Sequence, residues 1–173
     1  PRPDDFQIKE AADLIKKSKK PIIIAGGGVF YSDATDELSL FAKKHNIPVT
    51  QTVMGYSSIK KDHSHYLGTI GGLGGKAANN LSKETDTAIA IGTKLADFTT
   101  GSWANFENPN FKLVSINAAR FDANKHMAQA IIGDAKVSLM ELSQALGSWK
   151  ADDNWYKKSR VELKNWETYV EKE

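Results

Sequence analysis

No cysteine occurs among the 173 residues, which excludes a disulfide framework and thiolate metal ligands and agrees with a reducing, cytoplasmic setting. Long apolar runs are missing too. Nothing approaches the roughly 18 residues of a membrane-spanning helix, and no charged-then-apolar signal segment opens the chain, so no membrane partner is expected. Charge is not gathered in one sign: 23 Lys and Arg stand against 21 Asp and Glu, spread along the chain, without the basic block that a nucleic-acid partner would need. There is no Gly-x-Ser-x-Gly elbow and no His-Glu-x-x-His helix, and nothing else forms a convincing catalytic set. An initiator methionine is also lacking. The chain opens on "PRPDDF" and closes on "VEKE" inside a helical pattern, as a processed protein or a piece of a longer one would.

What is there has the size and composition of one well-cored domain, with 40% hydrophobic and 25% charged residues. After Pro3, either Asp4 or Asp5 can cap a helix whose apolar residues Ile8, Ala11, Ala12 and Ile15 share one face. Pro21 stops it, and "IIIA" (22–25) is a β-branched run suited to a strand buried on both faces. Three glycines turn the chain, and Ser32 or Asp33 can cap a second helix bearing Leu38, Phe41 and Ala42. Further strands are expected at 47–51, 87–93, 111–117 and 130–134, with a short one near 66–68. Helices are expected over 76–86 and, capped by Asp134, through Val137, Leu139, Met140, Leu142 and Leu146. Short apolar strands alternating with amphipathic helices imply a parallel sheet covered on both faces, a three-layer α/β domain. Ligands of such sheets bind beyond the carboxyl ends of the strands, where Gly26 to Gly28, Gly92 to Lys94 and Asn117 to Arg120 would converge. From Trp149 onward the character changes. Tyr156, Leu163, Trp166 and Val170 form one stripe on a charge-rich helix, which should pack on this domain's own surface or dock on a neighbour.

Each candidate site has a plainer reading beside it. Glycines without Cβ atoms let backbone approach a pyrophosphate at a helix N-terminus, but the dinucleotide fingerprint wants a glycine where this chain has Tyr31, and no Gly-Lys-Ser/Thr follows. A bare glycine cluster also serves a tight turn. The second cluster, "GTIGGLGGKAANN", could bind an anion by the same physics or simply let a helix pack closely. Asp62, His63 and His65 have a His-x-His spacing known among metal ligands, with no further ligand group in view, so a polar surface turn is preferred. Asp122 and His126 would pair at i, i+4 on a helix.

The linear order of "KKPIIIAGGGVFYSDA", "NIPVTQT", "DHSHYLGTIGGLGGKAANNL", "TDTAIAIGTKLADFTT", "NFENPNFKLVSINAARFDANKH" and "IIGDAKVSLMEL" resembles the central domain of thiamine diphosphate-dependent enzymes. Within that group, "AGGGVFYSDA", "DFTTGSWANFENP" and "INAARFDANKH" are similar to the trihydroxycyclohexanedione hydrolases of bacterial myo-inositol catabolism. The resemblance covers residues 1–147 and leaves 148–173 as a helical linker toward a cofactor-binding domain. It implies a Rossmann-like fold with a mainly parallel sheet of five or six strands. It also implies an enzyme of three α/β domains, in which thiamine diphosphate and Mg²⁺ sit between the first and third, usually at the interface of a homodimer or homotetramer.

The activating glutamate belongs to the first domain and the Mg²⁺ and diphosphate ligands to the third. This chain would then hold no catalytic residue, and its partners would be the N- and C-terminal domains of the same polypeptide. In some relatives the central domain binds ADP or FAD, which by resemblance would fall on Gly26, Gly27, Gly28, Thr93 and Asn117. The chain departs from that pattern where Ile116, Asn117, Ala118 and Ala119 replace the common Ile-Asp-x-Asp, and where Gly55, Tyr56 and Ser57 replace Gly-Lys-Gly. An adenosine ribose would lose its carboxylate partner, so the glycines are expected to serve the fold. Other reactions of the superfamily, decarboxylation of a 2-oxo acid or semialdehyde and acetolactate-type carboligation, stay open. So does a stand-alone nucleotide-binding module.

Overall fold

The computed structural model describes residues 1–172. Six strands, β1 (Pro21–Ala25), β2 (Val49–Gln51), β3 (Tyr66–Thr69), β4 (Thr87–Ile91), β5 (Lys112–Asn117) and β6 (Gln129–Ile132), form one sheet. Every pairing is parallel, in the order β3-β2-β1-β4-β5-β6. The chain therefore starts in the middle of the sheet, runs to one edge, and returns to build the other half from β4 outward. The point of reversal lies between β1 and β4, where open α/β sheets hold their ligands.

Both faces of the sheet are covered, and the strands divide their side chains between two cores. Ile23, Ile89, Ile91, Val114 and Ile116 enter the core shared with α1 (Asp5–Lys16), α3 (Thr35–His45) and α7 (Ala135–Leu146). Ile22, Ile24, Ala88, Ala90 and Leu113 enter the opposite core with α4 (Lys76–Glu84) and α8 (Asp153–Val170). Burial on both sides is why these strands read as unbroken apolar runs. Between β4 and β5 the only helix is the short α5 (Asp97–Thr100), and the sheet there is roofed by Trp103, Phe106 and Phe111. Phe106 and Phe111 stack with centroids 4.7 Å apart, so an aromatic cluster covers the sheet where a crossover helix does so elsewhere.

Asp4 is the residue that caps α1, accepting from the Phe6 amide at 2.8 Å, and Asp134 caps α7 through the Val137 amide at 3.2 Å. The expected Ser32 or Asp33 cap is corrected. The chain enters a short helix, α2 (Gly27–Tyr31), directly from the strand end, because extended Gly26 lets helix follow strand without a loop. Asp33 then turns through a left-handed φ of 51° and meets Lys136 at 3.5 Å, while α3 starts after Ala34 with no side-chain cap. The Asp122–His126 pair is also corrected. α6 (Arg120–Ala123) ends too early for i, i+4 geometry and His126 has φ 61°, so Asp122 instead accepts from Lys125 at 2.8 Å.

The tail helix packs on the domain's own surface. α8 runs antiparallel to α4, from Trp155 at the amino end of β1 to Trp166 beside Gly75. Its largest buried side chain is Trp155, which lies outside the Tyr156–Leu163–Trp166–Val170 stripe, and Val170 remains exposed. The Trp155 indole fills the second core and donates Nε1–H to the Pro21 carbonyl at 2.8 Å. Trp155→Ala should destabilise the protein by about 3–5 kcal/mol, and Trp155→Phe by about 1 kcal/mol. Urea unfolding monitored by circular dichroism reads both, and an unchanged midpoint for the alanine variant would mean that α8 is not part of the cooperative unit.

Candidate functional site

Beyond the carboxyl ends of β1, β4 and β5 lies a cleft of about 350 Å³ lined in part by Gly28, Tyr31, Gly92, Thr93, Lys94 and Asn117. The turns that frame it touch backbone to backbone. A Cβ on Gly26 would stand 2.4 Å from the Gly92 carbonyl oxygen, and one on Gly28 would stand 2.6 Å from the Gly92 Cα. Gly92 itself has φ +60°, so each partner in this contact must be glycine. The same closeness occupies two of the turn's donors. The Gly26 amide donates to the Ile91 carbonyl at 2.8 Å and the Gly28 amide to the Gly92 carbonyl at 3.0 Å. Asn117 is likewise engaged, with Oδ1 accepting from the Ala119 amide at 2.9 Å and Nδ2 donating to the Thr93 carbonyl at 3.4 Å. Thr93 Oγ1 accepts from the Leu95 amide at 3.2 Å.

The structure thus brings Gly26, Gly28, Thr93 and Asn117 together. Gly27 faces the other way, where a Cβ would lie 3.1 Å from the Met54 carbonyl oxygen. For three members of this junction the sequence reading gives no contact. It places Gly92 on the rim without its partner, and it leaves Gly55 and Ser58 in an irregular loop. A Cβ on Gly55 would sit 2.2 Å from the Ala25 carbonyl oxygen, and the Ser58 hydroxyl donates to the Gly26 carbonyl at 3.2 Å. A glycine directly after a strand end was the available signal for Gly92; Gly55, four residues beyond β2, and Ser58 carried none.

The second glycine cluster is a packing device. Gly75 precedes α4 under the Trp166 ring, where a Cβ would meet the indole Nε1 at 2.7 Å, and Lys76 Nζ lies 4.3 Å from the Tyr169 ring centroid. Asn79 laces the loop, accepting from the Gly71 amide at 3.0 Å and donating to the Gly71 carbonyl at 3.1 Å. The N-terminus of α4 is covered by α8.

The histidine pair is not a surface turn throughout, since His65 is buried. Asn46 turns its Nδ2 toward Ala151 and Asp153, so its Oδ1 accepts from His65 Nε2–H at 2.9 Å, and His65 Nδ1 accepts from the Ser64 hydroxyl at 2.8 Å. The ring also stacks on Tyr156 of α8 at 4.3 Å. His63 has both nitrogens engaged, with the Ser39 carbonyl at 3.0 Å and the His65 amide at 3.1 Å. Among the described residues no three His, Asp or Glu side chains gather as metal ligands. Burial first, with the charges of His63, Arg160 and Lys43 adding, pushes His65 down to about 4.

The family profile described as "Thiamine pyrophosphate enzyme, central domain" matches residues 8–142. This chain belongs to that family. The central domain is 46% identical over 140 residues to the 3D-(3,5/4)-trihydroxycyclohexane-1,2-dione hydrolase of Clostridium perfringens, which covers 81% of this chain and 22% of that protein. It is 39% identical over 166 residues to hydrolase 2 of that name from Bacillus cereus, covering 96% of this chain and 26% of the relative. The chain thus spans about a quarter of the length of these curated relatives. The family's name implies thiamine diphosphate, and the residues present do not fit it. The Gly26 and Gly28 amides that could cradle a diphosphate are bonded to Ile91 and Gly92, and no carboxylate group is assembled for its metal among the described residues.

Gly28→Ala should cost about 2–4 kcal/mol, because its Cβ meets backbone that cannot move aside. Thermal unfolding measures it, and a loss below about 0.5 kcal/mol would remove the contact's structural role. For His65 the folded pKa lies below the unfolded value, so the stability it permits is fully present above pH 6.5 and is lost as pH falls toward about 4. The loss should be about 3 kcal/mol. Urea midpoints across that range should fall for the native chain and stay flatter for His65→Gln; parallel curves would rule out this residue as the cause.

Proposed function

We propose that this chain is the central, scaffolding domain of a thiamine diphosphate- and Mg²⁺-dependent enzyme that hydrolytically opens a cyclic diketone in myo-inositol catabolism. The observation that carries the reading is the 39–46% identity to trihydroxycyclohexanedione hydrolases across nearly the whole domain. The geometry of the crevice supports a scaffolding part, since its convergent glycines, Thr93 and Asn117 hold β1, β4 and β5 to one another. Domain 1–147 with the helical segment 148–173 would hold apart the N- and C-terminal domains of one cytoplasmic polypeptide, itself a homodimer or homotetramer. Thiamine diphosphate, bound by those neighbours, would supply the electron sink for C–C cleavage.

The natural polypeptide, purified and given the cyclic diketone, should release the ring-opened acid only when thiamine diphosphate and Mg²⁺ are supplied. Turnover of a 2-oxo acid or semialdehyde with none of the diketone would replace this reading with a decarboxylase. For the 173-residue protein, ADP and FAD should leave the melting temperature unchanged. A ligand at a hundred times its Kd would stabilise by about 2.7 kcal/mol, and a shift of that size would convert the crevice into a nucleotide site.

A further inference from the structure

Exposed large apolar side chains are distributed unevenly between the two ends of the sheet. On the carboxyl-end loops Tyr31, Met54, Tyr56, Leu73, Phe98 and Phe121 all stand out into solvent, each at least half exposed. Among the described residues the amino-end turns carry one such side chain, Met127. Several of the rim residues are neighbours. A Cβ on Gly27 would touch both the Met54 backbone and the Tyr31 ring, and Gly72, beside Leu73, lies under the Phe98 ring. An exposed apolar area of this extent on one end of a small domain marks a surface that is covered in use.

The ends of the domain emerge on that same side. The Pro1 carbonyl accepts from the Asp134 amide just beyond β6, at the far edge of the sheet. The last turns of α8 reach Gly75 and Lys76 just beyond β3, next to Leu73. Curated relatives extend to about four times the length of this chain. We propose that the carboxyl-end rim is the seat of the domain that follows α8 in the same polypeptide, with the Tyr31–Met54–Tyr56–Leu73–Phe98 surface buried beneath it. This rests on the reading of the chain as one domain of a longer enzyme. The C-terminal neighbour is the occupant because its point of departure adjoins the apolar surface, whereas the N-terminus leaves from the opposite edge. The crevice between β1 and β4 opens on this rim, so the seated domain would close over it.

The three methionines report on three separate surfaces: Met54 on the rim, Met127 at the amino end and Met140 on the outer side of α7. Oxidation by dilute peroxide follows exposure. In the 173-residue protein Met127, at 99% exposure, and Met54, at 78%, should both oxidise ahead of Met140, at 58%. In the natural polypeptide Met54 should fall to last place, slowed by about tenfold or more, with Met127 unchanged. Peptide mass spectrometry reads all three. Amine cross-linking of Lys61 and Lys76 in the natural polypeptide should then reach lysines beyond residue 173. Equal Met54 rates in both proteins, protection of Met140 in its place, or cross-links to residues before Pro1 or to a second copy would each overturn the assignment. An intact mass no greater than that of this chain would instead remove the multidomain reading itself, an outcome distinct from a long polypeptide whose Met54 stays exposed.

Discussion

The contact on which the carboxyl end of this domain depends is the meeting of two turns, Gly26–Gly28 after β1 and Gly92 after β4, with no side chain between them. Because the chain reverses direction there, these turns close the joint between the two halves of the sheet. Backbone groups that would be unpaired at a strand-to-helix junction pair across the joint, which satisfies the amides and sets the separation of β1 and β4 together. Asn117 extends the arrangement to β5, and Ser58 and Gly55 extend it toward β2. What looks from outside like a phosphate loop is from inside a hydrogen-bonded seam.

A second constraint comes from α8. Trp155 seals the core under β1 at the amino end, Tyr156 stacks on His65 at the end of the loop before β3, and Trp166 closes over Gly75 at the carboxyl end. The helix therefore spans the full height of the sheet, and it fixes the long β2-to-β3 connection, which crosses without a helix of its own. Its ion pair of Lys158 with Glu84 is exposed and contributes little beside the buried indole. The consequence is that the last turns of α8 lie beside Gly75 and Lys76, at the same end of the sheet as the crevice.

These two constraints bear on the chemistry. Gly26, Gly28, Gly92, Asn117 and Thr93 make their contacts within the seam itself. The reactive-looking histidines, His45, His63 and His65, are packing groups with every ring nitrogen engaged. Exposed large apolar side chains gather on the carboxyl-end rim, whereas among the described residues the amino-end turns carry only Met127.

Much of this was legible in the residues in order. Doubly buried strands announce themselves as runs such as "IIIA" and "TAIAI", and Asp4 and Asp134 mark helix starts through local hydrogen bonds that need no distant partner. The family was legible as well, because its loops are carried in contiguous motifs. Tertiary structure alone decided the rest. That Gly28 faces Gly92, that Trp155 and not the aromatic stripe is the anchor of α8, and that His65 is buried against Tyr156 are contacts between residues 64, 134 and 91 positions apart. Local pattern records what a residue needs from its neighbours in sequence. It does not record which distant backbone will arrive in contact, and that approach is what turned a candidate cradle into a seam.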